Sequence, residues 1–73
     1  MKRQEYVQMS GSRLRALRLD RRLRQADLAA LAGIDTSYLC MLETGRRGRA
    51  SLAVATALAN ALDVELPSII VKK

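Results

Sequence analysis

Histidine is absent from this chain of 73 residues, and cysteine and proline occur only once each. Zinc sites are built mainly from Cys and His, and nucleophilic catalysis needs a nucleophile placed beside a base. The seven carboxylates are scattered along the sequence, and the four glycines form no phosphate-binding loop. We therefore expect neither an enzyme nor a bound metal or cofactor.

Other absences from the sequence bear on the cellular compartment in which the protein is expected. Because Cys40 is the single cysteine, no disulfide can form within the chain, which is typical of a reducing environment. No apolar run is long enough to span a bilayer, and the first ten residues, MKRQEYVQMS, lack the apolar segment of a signal peptide. These features predict a cytoplasmic protein that makes no membrane contact.

Aromatic residues are scarce, with two Tyr and neither Trp nor Phe, so the core must consist of Leu, Ala, Ile and Val. A chain of this length holds one small domain. Its composition, with few Gly and Pro, favours helices over strands.

Positive charge is abundant and unevenly distributed. The net charge is +6, and ten of the thirteen basic residues are Arg. Eight basic residues lie within 1–24 and three more within 46–49. Two basic segments of this kind indicate a polyanionic partner, because the guanidinium group suits phosphate. The alternative is that the charges only keep a small protein in solution.

Apolar spacing and capping residues predict five short helices and no strand. Helix 1 is predicted over 12–22, with Ser12 as its capping residue, and helix 2 is predicted over 25–32. Helix 3 follows Asp35 and ends at Gly45, and helix 4 runs from Ser51 to about 62. The segment DVELPSII predicts a fifth helix. The predicted fold is thus all-α, with a basic N-terminal arm over 1–11, a domain over 12–70 and a C-terminal tail over 71–73.

Helix 2, a turn around Gly33 and helix 3 form a predicted helix-turn-helix. Ala29 and Ala32 are small enough for two helices to cross closely, and Ile34 fills the turn. A helix that enters the major groove of DNA needs short or adaptable outer side chains that approach base edges. Four residues on helix 3 fit this requirement: Thr36, Ser37, Cys40 and Met41. The loop that follows places Arg46, Arg47 and Arg49 beside the phosphate backbone.

An ordered set of residues over roughly 12–70 resembles the lambda-repressor-like (Cro/C1, XRE-type) helix-turn-helix family. The resemblance is carried by Leu17–Arg18, Gln25, Leu28–Ala29, Gly33, Leu39, Leu42–Glu43, Gly45 and the leucines up to Leu62. It implies that Thr36, Ser37 and Met41 contact bases, and that Arg18 and Glu43 form a structural ion pair. It also implies phosphate contacts by Gln25, Tyr38 and the arginine loop, and we add Arg24 and Thr44 to that set.

Two positions depart from the family pattern. Arg22 and Arg24 stand where the family usually has a glycine and a small capping residue, so the cap of helix 2 is predicted to be weak. The loop GRRGRAS also lacks the usual proline.

Each assigned role has a plainer alternative. Gln25 could be ordinary helix surface, Tyr38 a half-buried core residue, and Cys40 an inert small side chain rather than a redox sensor.

These features together predict a transcriptional regulator that binds a double-stranded DNA operator, and we expect a repressor. One alternative is an antitoxin-like module that binds both DNA and a protein, and another is an architectural or recombination factor. No small-molecule ligand is expected. The residues available for self-contact are Leu19, Leu31 and the chain end around Ile70 and Val71. We therefore expect a monomer or weak dimer in solution that can pair on DNA.

Overall fold

In the computed structural model, which describes residues 5–71, helices account for most of the chain, as predicted. Four are α-helices: α1 (Gly11–Asp20), α2 (Gln25–Ala32), α3 (Thr36–Thr44) and α4 (Leu52–Leu62). The predicted fifth helix is a 3-10 helix over Leu66–Ile69. Two short strands complete the element order, β1 (Tyr6–Gln8) before α1 and β2 (Arg49–Ser51) before α4.

The two strands pair antiparallel, with Tyr6 opposite Ser51 and Gln8 opposite Arg49. The last described residue lies beside β1, because the Val71 N–H donates to the Gln8 carbonyl at 2.9 Å. The all-α prediction is therefore wrong in this detail, and the predicted arm over 1–11 contains a strand at 6–8. A three-residue strand has too few positions to show an alternating pattern. Residues 1–4 of the predicted arm and 72–73 of the predicted tail lie outside the described residues.

Helix α1 differs from its predicted bounds at both ends. Its N-cap is Ser10 rather than Ser12, and the Ser10 side chain makes no capping hydrogen bond. The helix ends at Asp20, and Arg22 takes a left-handed conformation with φ of 56°. Gly11 lies against the end of α3: a Cβ there would be 2.6 Å from the Glu43 carbonyl oxygen. No larger residue fits that approach without displacing backbone.

The turns around α2 and α3 form as the sequence predicts. Gly33 and Gly45 end the two helices in the left-handed conformation, with φ of 72° and 82°. The Asp35 carboxylate caps α3 by accepting from the Ser37 N–H at 2.9 Å. The cap of α2 is stronger than predicted, because the Asp27 carboxylate accepts from the Arg24 N–H at 2.9 Å. Arg24 cannot supply the acceptor, so a residue three positions later does.

The core between the helices is aliphatic, as the composition requires. It also takes in Met9, just after β1, and Ala50 of β2, neither of which the helical pattern predicts. The buried apolar residues are Met9, Leu14, Leu28, Ala29, Leu39, Leu42, Ala50, Ala55, Leu58, Ala59, Leu62 and Ile69. This core supports α3 from behind and leaves its opposite side free.

Candidate nucleic-acid interface

Helix α3 separates its side chains into a buried side and an open side. Leu39, Leu42 and Glu43 are buried. Thr36, Ser37 and Thr44 are exposed, and Cys40 and Met41 are half-buried between the two sides. Since Glu43 is the only charged residue of the helix and faces inward, the outer face of α3 carries no charge.

A shallow groove of about 480 Å³ runs along this outer face. It brings together all four residues predicted to contact bases, and adds one neighbour from α2 and one from the loop after α3. Its lining is Gln25, Thr36, Ser37, Cys40, Met41 and Arg46. Side chains that are 16 positions apart in sequence, such as Gln25 and Met41, thus share one surface.

The buried carboxylate of Glu43 links three helices. Arg18 of α1 donates from Nε to Glu43 Oε2 at 2.6 Å and from its terminal nitrogen to Oε1 at 3.0 Å. Gln25 of α2 donates its amide Nε2–H to the same Oε1 at 3.1 Å. The remaining guanidinium nitrogen of Arg18 donates to the Leu23 carbonyl at 2.7 Å. The helix-turn-helix is therefore fixed to α1 by one connected polar network.

This network is nearly dry, with exposed side-chain fractions of 8% for Arg18 and 1% for Glu43. The hydrogen bond with Glu43 raises the pKa of Arg18 further above its ordinary value, although burial acts in the opposite direction. The pair buries two opposite charges against each other, and either one alone would be buried without compensation.

Two of the loop arginines lie beside α3. The Arg47 guanidinium lies over the Tyr38 ring, 5.9 Å from its centroid, and the Arg47 N–H donates to the Met41 carbonyl at 3.1 Å. Arg46 lines the groove itself. Tyr38 is half-buried and packs against the core, so the ring serves both as core and as a platform for Arg47.

Two residues predicted to contact phosphate already have partners. The Arg24 guanidinium donates to both Asp27 oxygens, at 3.1 and 3.2 Å. These hydrogen bonds, with that from the Arg24 backbone, lower the pKa of Asp27. The Thr44 hydroxyl donates to the Cys40 carbonyl at 2.9 Å. A phosphate contact by either residue would require it to leave that partner.

Arg49 lies in β2 rather than in the loop. Its guanidinium lies over the Tyr6 ring of β1, 6.0 Å from the centroid. The sequence analysis missed this pair because it depends on a strand pairing between residues more than forty positions apart. No local signal could have revealed it.

Metal-binding groups and membrane helices are not found within residues 5–71. No cluster of three or more His, Cys, Asp or Glu side chains is placed to hold a metal ion there. None of the helices in that range combines the length and the apolar character needed to cross a membrane.

Comparison with known proteins gives a family and several similar structures. The model of a helix-turn-helix domain family matches residues 11–67. The restriction-modification controller protein C.AhdI from Aeromonas hydrophila is 45% identical, with a TM-score of 0.75 over 80% of this chain and 86% of that one. No curated protein sequence matches the chain.

Two further structures are similar at lower identity. SinR, a master regulator for biofilm formation solved in complex with DNA, is 27% identical, with a TM-score of 0.77 over 81% of this chain and 94% of that one. A mutant of hydroxyethylphosphonate dioxygenase is 29% identical, with a TM-score of 0.75 over 89% of this chain. The match covers only 14% of the dioxygenase chain, so it is a likeness to a small part of that protein.

Proposed function

Because this chain belongs to the helix-turn-helix domain family, we propose that it is a DNA-binding transcriptional regulator that presents α3 to the major groove of a double-stranded operator and acts as a repressor. The observation that carries the proposal is the uncharged outer face of α3, with Arg46 lining the end of its groove and Arg47 held beside the helix over Tyr38. Short uncharged side chains can approach base edges, while adjacent guanidinium groups suit the phosphates on either side.

The similar structures support the same function. C.AhdI is a controller protein, and SinR is a regulator described with DNA bound. Both resemble this chain over at least four fifths of its length. In this proposal Thr36, Ser37, Cys40 and Met41 face the bases, and Gln25, Tyr38, Arg46, Arg47 and Arg49 face phosphates. Arg24 and Thr44 join them only after leaving Asp27 and the Cys40 carbonyl.

Repression in this proposal is by occupancy. A domain of this size blocks a promoter by binding DNA that polymerase needs, without catalysing a reaction or binding a small effector. In this proposal the protein is a monomer in free solution, because single exposed apolar side chains such as Leu19 and Leu31 are normal on the surface of a monomer. Light scattering of the free protein at micromolar concentration should therefore give the mass of one chain, and a tight dimer would contradict this.

The test is a selection of binding sites from random duplex DNA with the purified protein, followed by titrations of the selected duplex at several salt concentrations. With about five phosphate contacts, the slope of log K against log salt should be roughly −4 to −5. A slope near zero would overturn DNA binding. A reporter gene placed behind the selected site separates repression, which lowers expression, from activation, which raises it.

A charge-matched control shows whether the arginines beside α3 are special. Arg47→Ala and Arg15→Ala each remove one positive charge, from the α3 loop and from α1 respectively. If the proposal holds, Arg47→Ala weakens duplex binding by a larger factor than Arg15→Ala does at the same salt concentration. Equal losses would mean that only the net charge matters.

A further inference from the structure

The groove on α3 has an unusual chemistry for a surface that recognises bases. Arginine, lysine, asparagine and glutamine supply the paired hydrogen bonds that distinguish guanine and adenine in the major groove. None of these residues occurs in α3, whose sequence is TSYLCMLET. The helix contributes Met41 and Cys40 from its middle, and the hydroxyls of Thr36 and Ser37 from its first turn, to the lining of the groove.

The two groups that could supply such hydrogen bonds from outside α3 are restricted. One N–H of the Gln25 amide already donates to Glu43, at 3.1 Å, which fixes the orientation of that amide. Arg46 is the single guanidinium in the lining of the groove, and it enters from the loop after the helix. The Thr44 hydroxyl is engaged by its own helix at the Cys40 carbonyl. Paired hydrogen bonding is therefore confined to the parts of the lining that Gln25 and Arg46 supply, and α3 itself offers none.

The remaining surface is apolar and adaptable. Met41 is half-buried, so part of its flexible side chain is packed and part is open. Cys40 behaves as a small apolar side chain in the same groove, and Thr36 adds a methyl group. The major groove of DNA exposes one apolar substituent, the C5-methyl group of thymine, and 5-methylcytosine carries the same group at the equivalent position.

We propose that this groove recognises C5-methyl groups of pyrimidines, with Met41 and Cys40 as the contacting side chains and Arg46 holding a phosphate at one edge. The inference rests on the proposed function, since it assumes that α3 meets the major groove. It assigns the specificity of this chain to apolar contact with methylated pyrimidines rather than to hydrogen bonding along the helix.

The experiment begins with two parallel selections on the full chain, one from a random duplex library of ordinary bases and one in which every cytosine carries a C5-methyl group. In a site that emerges from the ordinary library, thymine is the only base that carries a C5-methyl group, and its replacement by uracil tests the contact. A site that emerges only from the second library identifies 5-methylcytosine. In the selected duplex, each methylated pyrimidine is then replaced singly by its unmethylated counterpart, and affinity is measured at fixed salt.

Loss of one contacted methyl group should weaken binding about fourfold, as expected for removal of one buried methyl from an apolar contact. Met41→Ala should abolish this difference at one or two positions, so that methylated and unmethylated duplexes bind alike. Leu31→Ala is the control, because Leu31 is an exposed apolar side chain of α2 outside the groove lining. That variant should keep the fourfold difference.

Three results would count against the proposal in different ways. If wild-type protein binds the fully demethylated duplex as tightly as the methylated one with an unchanged salt slope, methyl recognition is wrong and DNA binding stands. A methyl effect that survives Met41→Ala would assign the contact to another residue and overturn the role of the groove. Absence of salt-dependent duplex binding would overturn the proposed function itself.

Discussion

Arg18 and Glu43 meet through two parallel hydrogen bonds across the α1–α3 interface, at 2.6 and 3.0 Å, although 25 positions separate them in sequence. Both side chains are buried, so the pair orients α3 without itself being available to a ligand. Removing one partner would leave the other charge buried without compensation. Stability and DNA affinity should therefore respond differently to substitutions at this pair.

Glu43→Ala should lower the free energy of unfolding by about 3–5 kcal/mol, the usual cost of breaking a buried ion pair from one side. Affinity per folded molecule should change much less. Urea unfolding measures the first quantity, and DNA titration corrected for the folded fraction measures the second. If Glu43→Ala does not fold, the double variant Arg18→Met with Glu43→Leu should recover folding, because it removes both charges together. An unchanged unfolding curve with lost binding would contradict a structural role.

Ser37→Ala should change which DNA sequence the protein prefers, whereas Arg47→Ala should lower its affinity for every sequence. Ser37 lies on the open face of α3, so its truncation should change the preference at one base position, with a cost of about 1–3 kcal/mol there. Arg47, stacked beside Tyr38, should set general affinity, so its truncation should weaken all sequences alike. Binding to the selected duplex and to its single-base variants distinguishes the two patterns. If Ser37→Ala weakens binding to all sequences equally, the proposed placement of α3 in the major groove is wrong.

Gly11→Ala should destabilise the fold by about 1–3 kcal/mol, the typical cost of forcing extra volume into a packed site. The new methyl would meet backbone carbonyl oxygens of Leu42 and Glu43, which cannot rotate away. Gly48→Ala is the matched control, since a Cβ there would lie 3.2 Å from the flexible Gln8 side chain. Thermal unfolding of both variants checks the difference, and equal melting temperatures would contradict the close approach.

Acid should weaken the cap of α2. The pKa of Asp27 is lowered in the folded protein by its hydrogen bonds with Arg24, so the folded state binds that proton less readily than the unfolded state. The stabilisation is thus present above the unfolded pKa and disappears as pH falls through the folded one. Wild type should melt higher than Asp27→Asn at pH 7, and this difference should shrink as the pH falls below about 4, the ordinary pKa of Asp. A constant difference across that range would refute the linkage.

The sequence predicts the turns of this fold better than its pairings. A glycine that ends a helix and an aspartate that caps one affect only the backbone within a few positions of themselves. The turns at Gly33, Asp35 and Gly45 could therefore be predicted from the sequence. The β1–β2 pairing joins three-residue segments far apart in the chain, and neither segment has a pattern of its own. The C-terminal end of α1 was misplaced for a different reason: Arg22 takes the left-handed conformation although arginine does not favour it, and local hydrogen bonds such as that from the Leu23 N–H to the Arg18 carbonyl close the turn.

In the candidate site, too, the sequence predicts local features and misses contacts between side chains. Helical spacing is enough to place Thr36, Ser37, Cys40 and Met41 on one face of α3. It cannot show that Arg24 is held by Asp27, or that the Thr44 hydroxyl is satisfied within its own helix. These hydrogen bonds depend on which rotamer each side chain adopts, and Arg and Thr can each adopt several rotamers. The pairing of Arg18 with Glu43 was implied only by the family resemblance, because no spacing rule joins residues on separate helices.

The hydrogen bond from Gln25 to Glu43 has a consequence for the thermodynamics of association. Ordering a long polar side chain on binding costs about 0.5–1.5 kcal/mol of rotational freedom. The Gln25 amide is already held at the edge of the groove by the carboxylate behind it. This part of the surface is therefore rigid before any partner arrives, and that entropy is lost during folding instead of at the moment of encounter. Discrimination between target sequences can then depend on the fit of a preformed shape, which makes dissociation rates, more than association rates, the quantity that varies from one target to the next.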